Sequence, residues 1–285
     1  MSNFEQLDFS YFPGCSLATT AAESNASLMK AARVLGFNLI ELEDWNCCGS
    51  SSAQTLCKDL ALGLAARNLS LAPKGRPLVA MCPRCLLYLR RAQARLRQDP
   101  ETRRELEERW QRPIPLDLEI IHFLEVLSRF GLDRLQQSVK RSLKGLRFVP
   151  YYGCTIFRPP DLDREKQYQG EMENILAALG AEPIIGAYTH RCCGSFLSAT
   201  DPELVTPLVN EIIDSAVAAQ AHCLVTACAM CQLNLEIRGT SRVKLPIFHF
   251  SEVLALALGA EDYEAWFIRH LVDPRPLLQK LALVA

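Results

Sequence analysis

The chain has 285 residues and nearly balanced charge, with 32 acidic against 31 basic side chains. A length beyond ~250 residues favours two domains, and balanced charge without a long basic run makes nucleic acid an unexpected partner. The N-terminal residues lack the basic start and apolar core of a secretory signal, and the apolar runs are too short to cross a bilayer. We therefore expect a cytoplasmic protein with no transmembrane segment.

The predicted elements alternate between strand and helix in both halves of the chain. The first half reads in order as "LDFSYF" (strand), "AESNASLMKAARVLG" (helix), "FNLIELED" (strand), "LCKDLALGLAARNLSLA" (helix) and "PLVAM" (strand). The second half reads in the same order as "LRFVPYY", "GEMENILAALG", "AEPIIGAY", "PELVTPLVNEIIDSAVAAQA" and "CLVTA". The pattern predicts an α/β fold with two tandem, pseudo-symmetric, small Rossmann-like domains, each with a mostly parallel sheet.

Cysteines repeat with the same half-chain period. Ten of the twelve follow the order C…CC…CxxC twice. The first copy is Cys15, Cys47, Cys48, Cys82 and Cys85; the second is Cys154, Cys192, Cys193, Cys228 and Cys231. The flanking sequences repeat as well, since "NCCGS" matches "RCCGS" and "IHFLEVL" matches "FHFSEVL", which indicates a duplication. We expect domains at 1–145 and 146–285.

Each cysteine group follows a predicted strand and so lies at the carboxyl edge of its sheet, where open α/β sheets build binding sites. In a reducing compartment, clustered cysteines are more often metal ligands or catalytic groups than disulfides. Five thiols per domain are one more than a tetrahedral zinc ion takes, and two adjacent thiolates can reach different irons of a polynuclear cluster. The pattern favours iron–sulfur centres, with zinc as the alternative.

The motifs "YFPGC", "DWNCCGSSSA", "YYGCTIFRPP" and "CAMCQLN" resemble the cysteine-rich CCG domain family, and over nearly the whole chain the B subunit of heterodisulfide reductase. The resemblance implies two non-cubane [4Fe-4S] clusters, one on each set of five cysteines. It also implies an oxidoreductase acting on sulfur groups, as a subunit of a larger complex. A disulfide would be reduced, or a thiol or persulfide oxidised, between the clusters.

Electrons would reach the chain from other subunits. It has neither GxGxxG nor GxxxxGK[ST], so we expect no nicotinamide or flavin on this chain. The resemblance implies a ferredoxin-like C subunit and a flavin-bearing A subunit as partners. The alternative is a quinone-directed electron-transfer subunit of a CCG-containing succinate dehydrogenase, fumarate reductase, or lactate or glycolate oxidase complex. For one substrate to meet both clusters, the cysteine sets must open toward one shared cavity.

Several residues outside the duplicated cysteines have chemistry of their own. Arg84, inside "CPRC", either attracts an anionic substrate or faces solvent. Cys57, expected within a helix, and Cys223, at the start of a strand, are expected to be structural. His190, just before "RCCG", is a candidate proton donor to the second cluster, with a packing role as its alternative. The charged stretch 90–112 is expected to be a solvated helix without a chemical role.

Two further histidines hold equivalent positions in the repeat. His122 and His249 each begin the repeated "HFxEVL" segment, so we expect them to share a capping or packing role.

Overall fold

The computed structural model describes residues 8–157, 168 and 170–284. The elements of the first half are β1 (Asp8–Phe12), α1 (Gly14–Ala18), α2 (Ala22–Val34), β2 (Asn38–Glu41), α3 (Ser52–Leu56), α4 (Lys58–Leu71), β3 (Leu78–Ala80), α5 (Pro83–Gln98), α6 (Pro100–Trp110), β4 (Ile120–Ile121), α7 (Phe123–Phe130) and α8 (Leu132–Gln137). Those of the second half are β5 (Arg147–Tyr151), α9 (Gly153–Phe157), α10 (Glu171–Ala178), β6 (Glu182–Pro183), α11 (Pro202–Ala218), β7 (Cys223–Thr226), α12 (Ala229–Arg238), β8 (Ile247–His249), α13 (Phe250–Ala257), α14 (Tyr263–Phe267) and α15 (Arg275–Lys280).

Each half contains a four-stranded sheet, and all strand pairs in both sheets are parallel. The strand orders are β2-β1-β3-β4 and β6-β5-β7-β8, the same topology twice. In the first sheet Phe12 pairs with Ala80, and in the second Tyr151 pairs with Thr226, so the central strands end level with each other. The predicted α/β fold with two pseudo-symmetric, Rossmann-like domains is confirmed. The boundary at 145/146 lies between the sheets and remains our proposed domain division.

The two halves pack through equivalent helices in reciprocal pairs. Helix α2 of the first half packs on α13 of the second, while α10, the counterpart of α2, packs on α7, the counterpart of α13. At the cysteine edge, α5 packs on α9 and α12 packs on α1 in the same reciprocal way. The interface therefore has the self-complementary form of a two-fold dimer within one chain.

The main hydrophobic core runs across this interface. It joins buried residues of the first sheet, such as Phe9 and Leu78, to residues of the second half, such as Phe248 and Leu254. A smaller cluster lies on the other face of the second sheet, around Val209 and Leu224. The two halves therefore share one main core, although tandem domains commonly fold around separate ones.

Two local predictions also differ from the structure. The helix predicted across Cys57 is interrupted there: the residue is extended (φ −158°) and separates α3 from α4. In α4, which begins after this break, Ala61 packs closely against Gly49. The strand predicted at "AEPIIGAY" pairs only over Glu182–Pro183, at a sheet edge where proline's missing N–H is tolerated. No helix among the described residues is long and apolar enough to span a bilayer.

Candidate metal centre

All ten duplicated cysteines lie at the carboxyl edges of the two sheets. Cys15 and Cys154 lie in the short helices that follow β1 and β5. The CxxC pairs follow β3 and β7, and Cys82 and Cys228 are the N-cap residues of α5 and α12. Parallel strands end at one edge of a sheet, which brings cysteines that are distant in sequence together.

Thiols of the first set form a continuous row of neighbours. The side chain of Cys47 accepts hydrogen bonds from those of Cys15 and Cys48, which lower the pKa of Cys47 to about 2. The same contact raises the pKa of Cys15. On the buried side, Cys85 lies next to both Cys48 and Cys82, and these neighbouring thiols raise its pKa. Thiols that already share protons in this way are set up to release them to a metal.

The second set converges in the same manner. The Sγ atoms of Cys193 and Cys231 are 3.4 Å apart. Contact with Cys192 lowers the pKa of Cys154 to about 5. Burial raises the pKa of Tyr151, and the nearby charges of Cys231, Cys193, Cys192 and Cys154 raise it further. Four thiols of this set therefore surround one buried tyrosine at the end of β5.

The two sets meet across the domain interface. Cys82 of the first set and Cys228 of the second are both buried, and their thiols contact each other. This contact is the largest of the causes that hold the pKa of Cys82 well below its usual value. The buried CxxC pairs form the inner wall of the combined site. Cys15 and Cys192 are exposed, so each set also reaches the solvent-accessible surface.

Glycines leave room for the sulfur atoms. Gly14 has φ +71°, and a Cβ there would lie 2.9 Å from the Sγ of Cys85. Its counterpart Gly153 has φ +68°, and a Cβ would lie 3.2 Å from the Sγ of Cys231. Both the left-handed backbone and the close approach of sulfur select glycine at these positions.

The donor set fits an iron–sulfur centre. Each group supplies five thiols, lies at a sheet edge and is partly closed from water. Among residues 8–157, 168 and 170–284, no three Cys, His, Asp or Glu side chains surround a position for a single metal ion.

Arg84 lies between the two cysteine sets rather than facing solvent. It is half-buried and donates a hydrogen bond of 2.5 Å from Nη2 to the Ser50 carbonyl. Its Cζ lies 5.4 Å from the ring centre of Phe196, in the second half. Its charge is also close enough to help lower the pKa of Cys154. A positive side chain of the first half thus reaches the cysteines of the second.

The paired histidines cap helices, as their repeat positions predicted. His122 and His249 are the N-cap residues of α7 and α13, and both are fully buried. Burial lowers the pKa of His122 to about 4 and that of His249 to about 3. The Phe250 ring packs against both imidazoles. They are neutral structural groups beside the interface.

His190, Cys223 and Cys57 lie in different surroundings. His190, two residues before Cys192, is half-buried. Its ring stacks on that of Tyr152, with the ring centres 6.0 Å apart. Its role as a proton donor stays a prediction. Cys223 is fully buried in β7, as a structural cysteine should be. Cys57 is exposed at the break between α3 and α4, so it is not packed in the core as a structural cysteine would be.

A buried cluster of ionisable side chains lies beside α12, and no local sequence pattern predicts it. His270 lies 2.9 Å from Glu236 and 3.0 Å from Glu252, with all three side chains at least 95% buried. Burial alone would lower the pKa of His270, but the two carboxylates raise it to about 10. Glu252 and Glu236 lie 18 and 34 residues before His270, too far away for sequence spacing to indicate the contact.

Comparisons with known proteins agree with this geometry. The CCG family, described as a cysteine-rich domain, matches residues 9–90 and 148–236. The chain is 32% identical over 283 residues to the 8-methylmenaquinol:fumarate reductase membrane anchor subunit of Wolinella succinogenes, covering 95% of this chain and 99% of that protein. It is 26% identical over 274 residues to a protein of Archaeoglobus profundus described as like the B subunit of heterodisulfide reductase, covering 88% and 90%.

A solved structure shares the fold. The crystal structure of a hypothetical protein from Helicobacter pylori has a TM-score of 0.74 to this chain at 14% identity, and the match covers 94% of this chain and 52% of that one. The family match covers more than half of the chain, in the two segments that carry the duplicated cysteines. The chain therefore belongs to the cysteine-rich CCG domain family and is similar over most of its length to subunits of heterodisulfide and fumarate reductases.

Proposed function

We propose that the chain is the iron–sulfur redox subunit of a multi-subunit oxidoreductase, with one centre on each cysteine set and one shared substrate site. The contact between Cys82 and Cys228 carries this proposal, because it joins the two sets at their buried ends. Two centres on opposite sides of the molecule would act only as relays. Two centres at one interface can serve a single substrate that exchanges two electrons.

Two non-cubane [4Fe-4S] clusters, when bound to the two cysteine sets, would each supply one electron. The buried cysteines of both CxxC pairs close the inner wall against water. The exposed Cys15 and Cys192 mark the side from which substrate enters. Arg84 places a cation at this opening and orients an anionic or carbonyl group of the substrate. His190 is the proposed proton donor on the side of the second set.

The similarity to heterodisulfide reductase subunits favours a disulfide as the substrate. Its reduction takes two electrons and two protons and yields two thiols, and the reverse oxidation of thiol or persulfide uses the same site. The partners would be a ferredoxin-like C subunit and a flavin-bearing A subunit, in the cytoplasm, where thiols stay reduced.

A quinol is the second candidate substrate. It too exchanges two electrons and two protons, so two one-electron centres at one site suit it equally well. The observation that favours it is the full-length similarity to the fumarate reductase subunit from Wolinella, at higher identity than the heterodisulfide reductase-like relative. In this case the chain would pass electrons between quinol and a flavin-bearing partner.

The first experiment is metal analysis of protein purified without oxygen. We expect about eight irons per chain and little zinc, as two four-iron clusters require. Cys48→Ser and Cys193→Ser should each remove about half of the iron. Near-stoichiometric zinc, with no iron after anaerobic reconstitution, would refute the proposal.

The second experiment separates the substrates. The purified complex is assayed with a disulfide and with a water-soluble quinol, in wild type and in both serine variants. If both centres act on one substrate, either variant should abolish its turnover. Partial turnover in one variant would identify a relay, and the substrate that is turned over decides between the two candidates.

A further inference from the structure

The duplication gives the two cysteine sets matching hydrogen-bond partners. In each half, a hydroxyl next to the first cysteine, a glycine N–H after the CC pair and the hydroxyl of the following serine bond the thiols of that half. The matched pairs are Ser16 and Thr155, Gly49 and Gly194, and Ser50 and Ser195. Two centres that had only these partners would have closely similar electrostatic surroundings.

Asn234 adds a donor at the second set alone. The residue is buried, and its Nδ2 donates a hydrogen bond of 2.7 Å to the carbonyl of Cys193. This bond fixes the orientation of the amide, because an oxygen in the place of Nδ2 would repel the carbonyl. Contact with the Cys231 thiol is the largest cause that lowers the pKa of Cys193 to about 6, and a hydrogen bond from Asn234 contributes to it. The corresponding residue of α5 is Tyr88, which has no amide.

Arg84 adds a positive charge beside the second set. The residue belongs to the first CxxC pair, but its Cζ lies 5.4 Å from the ring centre of Phe196, which follows the second CCG motif. Contact with Cys192 is the largest cause that lowers the pKa of Cys154, and the charge of Arg84 lowers it further. The guanidinium therefore reaches across the domain interface to the thiols of the other half.

The second half returns no such charge to the first set. The residue of α12 that corresponds to Arg84 is Met230, which is uncharged. Toward the first half, Arg84 donates its hydrogen bond of 2.5 Å from Nη2 to the Ser50 carbonyl, and this oxygen offsets part of the positive charge on that side. The duplicated helices α5 and α12 thus differ at two positions, and both differences favour negative charge at the second set.

Hydrogen bonds to sulfur and a nearby positive charge raise the reduction potential of an iron–sulfur centre, because they stabilise its more negative, reduced form. We propose that Asn234 and Arg84 make a centre on the second cysteine set easier to reduce than one on the first, so that the first electron to reach the chain resides there. The proposal rests on the redox function above and adds the order in which the two sets take up electrons. The redox partner subunit of that function supplies the electrons.

An anaerobic redox titration of the iron-loaded protein tests the proposal. Dithionite is added in steps, and electron paramagnetic resonance measures the reduced fraction of each centre. Cys48→Ser and Cys193→Ser, each of which should lack one centre, assign the signals to the two sets. In the wild type, the equilibrium constant for reduction should be at least about tenfold larger at the second set, which is about 59 mV for one electron.

Substitutions remove the two differences one at a time. Arg84→Met introduces the residue of the duplicate position, and Asn234→Leu removes the donor while keeping a side chain of similar size. Each should lower the reduction constant of the second centre several-fold and change that of the first centre by a smaller factor. Arg84→Lys keeps the charge and should retain most of the wild-type potential.

Two control variants make the same chemical changes away from the thiols. Arg97→Met removes a positive charge from α5 about 20 Å along the helix from Arg84, where Arg97 bonds the Leu116 carbonyl. Asn210→Leu removes an amide that accepts a hydrogen bond of 2.9 Å from the backbone N–H of Thr240, beyond the end of α12 that lies away from its CxxC pair. Neither control should shift a potential. Iron content shows that each variant holds both centres.

Equal potentials in the wild type, or a first set that is reduced before the second, would overturn the proposal. So would shifts in the controls as large as those in Arg84→Met and Asn234→Leu. If Asn234→Leu loses iron, the comparison of Arg84→Met with Arg84→Lys decides, and equal shifts in these two variants count against a role of the charge. Two iron centres with equal potentials refute only the order of reduction, whereas a protein that takes up no iron refutes the redox function itself.

Discussion

Gly49 connects the first cysteine set to the packing of α4, and its replacement by alanine tests how closely the two depend on each other. The residue follows Cys48 and has φ +79°. A Cβ would lie 3.0 Å from both the Cα and the carbonyl oxygen of Ala61, and backbone atoms of a helix cannot rotate away. Gly36 has φ +81° and nothing within 4 Å of a Cβ, so it provides the control.

Both substitutions place alanine in a left-handed backbone conformation, but only Gly49→Ala also creates a close contact. An alanine in left-handed conformation costs about 1–2 kcal/mol, and both variants bear that cost together with the same change in the unfolded chain. Only Gly49→Ala adds overpacking, about 1–3 kcal/mol more. We therefore expect a loss of about 1–2 kcal/mol in Gly36→Ala and about 2–5 kcal/mol in Gly49→Ala.

The free energy of unfolding is measured by urea denaturation of protein purified without oxygen, with iron content determined in parallel. Because relief of the contact at Ala61 must move the backbone beside Cys48, Gly49→Ala should also lose iron, whereas Gly36→Ala should keep it. Equal stability and full iron in both variants would show that close packing of α4 on the CCG motif is unnecessary.

Three further predictions concern groups around the centre. The pKa of His270 is raised from 6.5 to about 10. Its ion pairs therefore stabilise the fold fully below pH 6.5 and lose that effect as the pH rises toward 10. His270→Gln should remove this part of the pH dependence of the urea midpoint. Cys57→Ser should leave the iron content unchanged, because Cys57 is exposed and outside both sets; loss of iron would make it a ligand. Phe250→Ala should cost about 3–5 kcal/mol in urea denaturation, since the ring is fully buried between two histidines, and a loss below 1 kcal/mol would contradict that packing.

Much of the fold follows from local patterns. Alternating strand and helix segments predict parallel sheets, and parallel sheets bring the loops after Phe12 and Ala80 to one edge, which explains why the cysteines could be grouped from sequence. Duplication predicts the equivalent capping roles of His122 and His249, because both begin the same motif.

Other features depend on contacts that no local pattern contains. The shared core arises because α2 packs on α13, a pairing between segments more than two hundred residues apart. The stretch 90–112 has the composition of a solvated helix, yet Arg91 and Arg95 line a cavity because α4 stands opposite them. The break at Cys57 is marked by neither proline nor glycine, and Ala61, four residues later, packs closely on Gly49 of the CCG motif.

The reciprocal pairing of helices also has a consequence for synthesis on the ribosome. Leu28 and Ser27 lie on the buried face of α2, and Ser27 bonds Ser251 on α13, which emerges more than two hundred residues later. At ordinary elongation rates, about 10–40 s pass between the synthesis of this face and the synthesis of α13, which covers it. We expect the nascent first half to need protection by a chaperone during that interval, and a chain truncated near residue 145 to aggregate.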